Sequence, residues 1–342
     1  MEHCTDLKLL NASITKCAAC TVTMGLIKKL AFKCLSNCGS VRRGVPHSPR
    51  GVPLRERART GSRKGPAVLI RLGYDITFET NFPVPMVALL NVHPTRVVDL
   101  RSPDELFIQP QTPVECYLDS FGNRCCRFLA PSGNVRLSGS TLIHDSGQPD
   151  LVKPDAREVP VQELPNEVLR YLLNSRYCEV DQLSNIATEL FGGLMPGWTR
   201  VQAVCDWVHE RVRFGYAFAN PTKTSLDVFT ERCGVCRDFQ HLAVTICRAL
   251  NIPARYATGY LGDIGVPASP VPMDFSAWFE VYLDDRWWTF DARHNTPRIG
   301  RVLMAVGRDA SDVAITTSFG MANLKKFTVV TEEVSGKEAA HT

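Results

Sequence analysis

Residues 232–250 read RCGVCRDFQHLAVTICRAL, and the fold turns on how this stretch is read. Phe239, Leu242, Ala243, Ile246, Cys247 and Leu250 recur with the 3.6-residue period of one apolar helical stripe, so a helix is predicted. The Cys233-Gly234 pair ahead of it is a turn signal, which places Cys236 in the first turn of that helix. Unpaired N–H groups and the positive end of the helix dipole gather there, a setting that favours thiolate over thiol and suits a nucleophile. The same spacing sets Cys236 three residues before Phe239 on the apolar stripe, so an unreactive core cysteine fits the pattern as well.

A second informative stretch, DFSAWFEVYLDDRWWTFDA at 274–292, alternates on either side of Asp284-Asp285 and predicts a β-hairpin. Pairing Leu283 with Arg286 across a two-residue turn sets Trp278 opposite Asp291 and Ser276 opposite Arg293. Ser276, Trp278, Glu280, Thr289, Asp291 and Arg293 then share a face. Ser276 becomes a diagonal neighbour of Asp291 at roughly 7–8 Å, where an imidazole and a carboxylate could meet. His294 falls opposite Phe275, on the other face, unless the strand ends before it. His241 lies five residues past Cys236, about 140° around the helix, and is expected to point elsewhere. Asp274 shares the face of Ser276 but, as an ordinary carboxylate, is too acidic to take a thiol proton at neutral pH.

Upstream, VLIRLGYDITFE alternates from Val68 and reads as a half-buried strand, and further strands are expected at 86–92, 95–100, 114–120, 125–130 and 135–143. Residues 67–150 are thus an antiparallel β domain, and 151–164 a Pro-rich linker. A mixed domain follows over 165–335, with helices at 165–173, 181–191 (capped by Asp181), 199–212 (capped by Thr199) and 225–231, a strand at 255–260 and the hairpin. The fold class is α+β.

Residues 1–66 form a basic segment, expected to be disordered, and 336–342 a tail. Through residue 65 there are 13 Lys+Arg against 3 Asp+Glu, so the +4 of the whole chain hides a net negative remainder. A solvated segment is the reading taken for it, rather than a nucleic-acid contact. Cys17-x-x-Cys20 and Cys34-x-x-x-Cys38 within it resemble zinc-ligand spacing, but no zinc-ribbon turn chemistry accompanies them, and no metal or cofactor is assigned. Thirteen cysteines, an odd count with irregular spacing, point to reduced thiols. The longest early apolar run, 17–27, is too short to span a bilayer. No membrane association and a cytoplasmic location are expected; oligomeric state is not read.

GVCRDFQHL around Cys236, CRALNIPARYATGY after it, and the DFSAWFEVYL and RWWTFDARHN strands together resemble the transglutaminase-like family of papain-type cysteine enzymes, in particular bacterial members with an N-terminal β domain. The resemblance covers about 67–335. It implies a papain-like core whose antiparallel sheet packs on the Cys-bearing helix, preceded by an all-β domain. It also implies that Cys236 is the nucleophile and Asp291 the residue that orients an imidazole. The family's His-Ala-Trp run reads Ser-Ala-Trp here, so Ser276 occupies the base position. The function implied is a peptidase, amidase or acyl transferase that acts on peptide or glutamine-type amides through a thioester and is impaired at Ser276. Trp278 is a candidate substrate-binding wall, with core filling the alternative. The other reading of the whole is a pseudoenzyme that binds peptide or amine ligands without turnover.

Overall fold

The computed structural model describes residues 67–270 and 272–334; the basic segment 1–66, with its zinc-like cysteines, and the tail 336–342 lie outside them. The alternation from Val68 produces strand β1, Val68–Thr80, with Ile70, Leu72, Tyr74, Ile76 and Phe78 all buried. Next come β2 (Val84–Ala88), β3 (Phe107–Gln109), β4 (Val114–Leu118), β5 (Arg124–Ala130) and β6 (Gly133–Asp145). The strand expected at 95–100 is instead a 3-10 turn, Pro94–Asp99. Pro94 has no N–H to give a ladder, and the His93 ring accepts the N–H of Thr95 at 3.3 Å, capping the turn.

The middle of the chain supplies α1 (Asn166–Leu169), α2 (Val180–Phe191) and α3 (Trp198–Arg211), then the two-residue strand β7 (Arg213–Phe214). After it come α4 (Ser225–Glu231), β8 (Cys233–Gly234) and α5 (Cys236–Ala249). Neither Asp181 nor Thr199 caps its helix: Glu179 and Gly197 hold those positions without a side-chain cap bond, because each helix already begins at the residue before the polar one, which puts its cap two positions upstream. The capping box expected of a Thr/Asp pair appears on α4, between Thr224 and Asp227.

Three four-stranded sheets organise the rest. Strands β9 (Ala254–Leu261), β10 (Ser276–Leu283), β11 (Arg286–Phe290) and β12 (Arg301–Gly307) form one, in the order β11-β10-β9-β12. Its Phe279, Val281, Leu283, Trp288 and Phe290 pack with α2, α3 and α5 in one core. Trp278, Ala257 and Val306 pack together in a separate cluster, with Phe121 of the β4–β5 turn against it. The last strands, β13 (Thr316–Ser318) and β14 (Asn323–Glu333), return to the N-terminal sheets: β13 pairs with β2, and β14 with β1. Two strands from the 165–335 segment therefore complete the sheets begun at Val68. Among the described residues no helix is long and apolar enough to cross a membrane.

Helix α5 is buried on every side from Asp238 to Arg248, a burden its amphipathic sequence does not announce. Its polar side chains are therefore spent on specific partners. Arg248 donates to the carbonyls of Leu173, Ala254 and Arg308 and to the Ser175 hydroxyl. Burying a guanidinium is tolerable only with its fork satisfied in this way.

The hairpin register is the expected one, Leu283 opposite Arg286 through to Phe279 opposite Phe290. Asp284 and Asp285 turn it with φ of 46° and 62°, the two left-handed residues of a type I′ turn. A β-branched residue is strained at such a φ, so Asp285→Val should lower stability by about 1–2 kcal/mol and Asp285→Gly should not. Urea unfolding of the two variants checks this, and equal midpoints would refute it.

Candidate active site

The parallel pair β7–β8 fixes the approach to α5: Arg213 N–H donates to Arg232 O and Gly215 N–H to Gly234 O. Gly234 is required by a close approach, since a Cβ there would lie 2.6 Å from Asp238 Cβ. Asp238, wholly buried, accepts the Val235 N–H at 2.9 Å and pairs with Arg237 at 2.9 Å. The chain thus enters the helix with its first turn closed from within, and Cys236 at the first helical position.

Cys236 opens on two cavities. One, of about 280 Å³, is lined by Phe214, Tyr216, Asp274, Ser276, Arg293 and His294 among others. The second, of about 140 Å³, shares Cys236, Asp274, Phe275 and Ser276 with the first and is lined further by Tyr256, Val313 and Phe327. Although Cys236 retains partial exposure, burial pushes its thiol up to about 11; Arg293 and the Arg237 N–H pull against that rise, while the carboxylates of Asp274 and Asp238 add to it. The helix terminus therefore does not make this sulfur a resting thiolate. Burial also lifts the Asp274 carboxyl to about 6, against the opposing Phe275 N–H and Arg293. Asp274 is in consequence a better proton acceptor than its residue type suggests.

Asp291 is the most heavily engaged carboxylate of the site. Its Oδ1 accepts from Gln240 Nε2 at 3.0 Å and from the backbone N–H groups of Arg293 and His294 at 3.0 and 3.1 Å. Its Oδ2 accepts from Arg301 Nη2 and faces His294 Nδ1, each at 2.9 Å. Burial alone would raise its pKa, but Arg301 and His294 outweigh that and hold it far below the usual carboxylate range.

The structure brings Cys236, Ser276 and His294 to one cavity and sets Asp291 behind His294. Ser276 opens strand β10 opposite Gly259 and offers its carbonyl to the Thr258 hydroxyl. Strand β11 ends at Phe290, and the turn built on Asp291 carries His294 onto the carboxylate, the outcome that the register allowed only if the strand stopped early. Trp278 is placed in the core, 2% exposed, with the Arg301 guanidinium 5.2 Å from its ring centre; it backs Arg301 rather than lining either cavity. His241 is buried and stacked on Tyr177 at 5.0 Å, its Nε2 accepting the Ala310 N–H, and burial holds it neutral with a pKa down to about 3. Gln240 and Arg301 were not singled out from sequence. Gln240 sits four residues after Cys236, hence on the same helix face, which is the signal that could have found it. Among the described residues no cluster of three or more His, Cys, Asp or Glu is placed to hold a metal.

A helix-borne cysteine thus lies against an antiparallel sheet, with a buried carboxylate and an imidazole at the sheet's end. Residues 184–292 match the model of the Transglutaminase-like superfamily, and the chain carries a transglutaminase-like core there. It is similar, at 29% identity over 212 residues, to the protein ML0607 of Mycobacterium leprae, with 60% of this chain and 75% of that protein covered. It is also similar to the crystal structure of a candidate cysteine protease from Cytophaga hutchinsonii: 29% identity, TM-score 0.66, covering 79% of this chain and 92% of that one.

Removing the charge of Asp291 strands Arg301 with Asp150 alone, so Asp291→Asn should cost about 3 kcal/mol at pH 7. Because the folded pKa is depressed, the contribution is present above the unfolded value of about 4 and is lost as pH falls through the folded one. Urea midpoints should therefore converge between wild type and variant on acidification; a constant gap across pH would count against this account.

Proposed function

We propose that this chain is a transglutaminase-like cysteine enzyme in which Cys236 attacks the carbonyl carbon of a peptide or glutamine-type amide and forms a thioester, later released by water or by an amine. The observation that carries the reading is Cys236 itself, first residue of a buried helix and open to cavities on two sides. Two cavities sharing the sulfur suit a reaction with an acyl portion and a departing or incoming amine. The first N–H groups of α5, beside the sulfur, are the donors available to a developing oxyanion. As the sulfur bonds to carbon, the carbonyl pair moves to oxygen; it returns as the C–N bond breaks and the amine leaves with a proton. Ser276 cannot manage that proton at neutral pH, so at this position the machinery is impaired relative to an imidazole.

A second reading, binding of peptide or amine ligands without turnover, draws support from the thiol raised to about 11. Cys236→Ala separates the two. Under the first reading, hydrolysis of a glutamine-containing peptide and amine incorporation both fall to the buffer rate, and a hydroxylamine-labile acyl adduct is lost from the α5 peptide. Under the second, the unaltered chain gives neither turnover nor adduct yet binds the peptide. Activity that survives Cys236→Ala would sink the first reading.

A further inference from the structure

We propose that His294 supplies the imidazole missing at Ser276, acting as general base to Cys236 from a position after the strand rather than across from it. The inference rests on the thioester chemistry proposed for Cys236. His294 and Cys236 line the same cavity. The ring is oriented: Nδ1 meets Asp291 Oδ2 at 2.9 Å, which leaves Nε2 as the nitrogen free to work, and the side chain keeps 24% exposure. The backbone is oriented too, because the N–H groups of Arg293 and His294 both bind Asp291 Oδ1, and Asn295 N–H binds Asp291 O at 2.8 Å. Carboxylate, ring and backbone thus form one rigid turn, the arrangement in which an aspartate fixes an imidazole's tautomer and stabilises its cation.

The chemistry follows from a thiol that rests protonated. As the C–S bond forms, the S–H proton passes to Nε2 and the carbonyl pair moves onto oxygen. When that pair returns and the C–N bond breaks, the imidazolium gives the proton to the leaving nitrogen. The cavity presents Asp274, Arg293, Arg298, Asp263 and Tyr216 as its other titratable or charged groups, with Asp291 and Arg301 behind His294. Of these, Asp274 is the rival base, since it shares both cavities with Cys236.

A p-nitrophenyl ester isolates the first proton transfer, because its leaving group needs no proton. The Cys236-dependent burst of nitrophenolate is followed from pH 6 to 9 in the full-length wild type, His294→Gln, Asp274→Asn and Ser276→His/His294→Gln. The wild-type burst rate should level off within that range. In His294→Gln it should rise about tenfold per pH unit throughout, toward the thiol's own value near 11, and be about 100-fold slower at pH 7. Asp274→Asn should keep a plateau, shifted in height because the Asp274 carboxylate no longer raises the thiol, and the double variant should regain one. His294→Gln leaves Asp291 its bonds from Gln240 and Arg301 and is expected to fold, which thermal melting checks. The wild-type profile is decisive without any variant: a slope that never levels overturns the proposal. So does a His294→Gln profile that superimposes on wild type, or a plateau lost in Asp274→Asn instead. If His294 fails by any of these but Cys236→Ala still abolishes amide turnover, the thioester reading stands alone; if turnover survives Cys236→Ala, that reading falls on its own test.

Discussion

A single buried carboxylate, Asp291, ties the mixed domain together. An isolated charge at such a site would cost many kcal/mol, so it is tolerable only when every element that satisfies it is in place. Gln240 comes from α5, Arg301 from β12, and the remaining donors from the turn that follows β11. Arg301 in turn holds Asp150, so the entry to the 151–164 segment is drawn to the same point. Helix, sheet and connecting segment meet at one anion, and the geometry there is set by hydrogen bonds rather than by apolar contact, which is non-directional.

That construction bears directly on Cys236. Gln240 is fully spent: its Nε2 reaches Asp291 Oδ1 and Ala277 O, and its Oε1 accepts the Ala292 N–H. Lying one turn beyond Cys236, it locks the helix to β10 and to the chain beyond β11, so the sulfur cannot drift relative to the carboxylate. Burial then makes the sulfur a poor anion, with Asp238 and Asp274 adding to the penalty. A cysteine in this setting reacts well only if its proton leaves as the new bond forms, and the chemistry of the site is therefore a question of where the proton goes.

The hairpin was legible in the sequence from its Asp-Asp turn to the pair Phe279–Phe290, because strict alternation around a two-residue turn admits one pairing. The expected pairs Trp278–Asp291 and Ser276–Arg293 do not form, since the strand ends at Phe290. The Cys-bearing helix was legible for the same kind of reason, by its period. His294 was misplaced because register arithmetic extends a strand indefinitely, whereas Asp291 ends this one by capturing the N–H groups of Arg293 and His294 with its own side chain. The thiol's acidity was misjudged because a helix N-terminus is visible in sequence and desolvation is not. Trp278 alternates onto the expected face, but there it packs beside its sheet neighbours Ala257 and Val306 and against Phe121 of the β4–β5 turn, contacts far apart in the chain. Strand β12, RVLMAVG, is buried along nearly its whole length and shows no alternation for a period to detect.

The N-terminal sheets take part in the site through strands that arrive last. Phe327, on β14, lines the smaller cavity beside Cys236 and meets the ring of Phe275 edge-on at 5.8 Å. Phe275 sits between Asp274 and Ser276 and also contacts Tyr260 at 5.1 Å. Because β14 exists only as a partner of β1, the wall of that cavity forms once the first strand of the described chain has paired with the last. The β region is therefore part of the mould around Cys236, and its pairing helps to set which groups can approach the sulfur from that side.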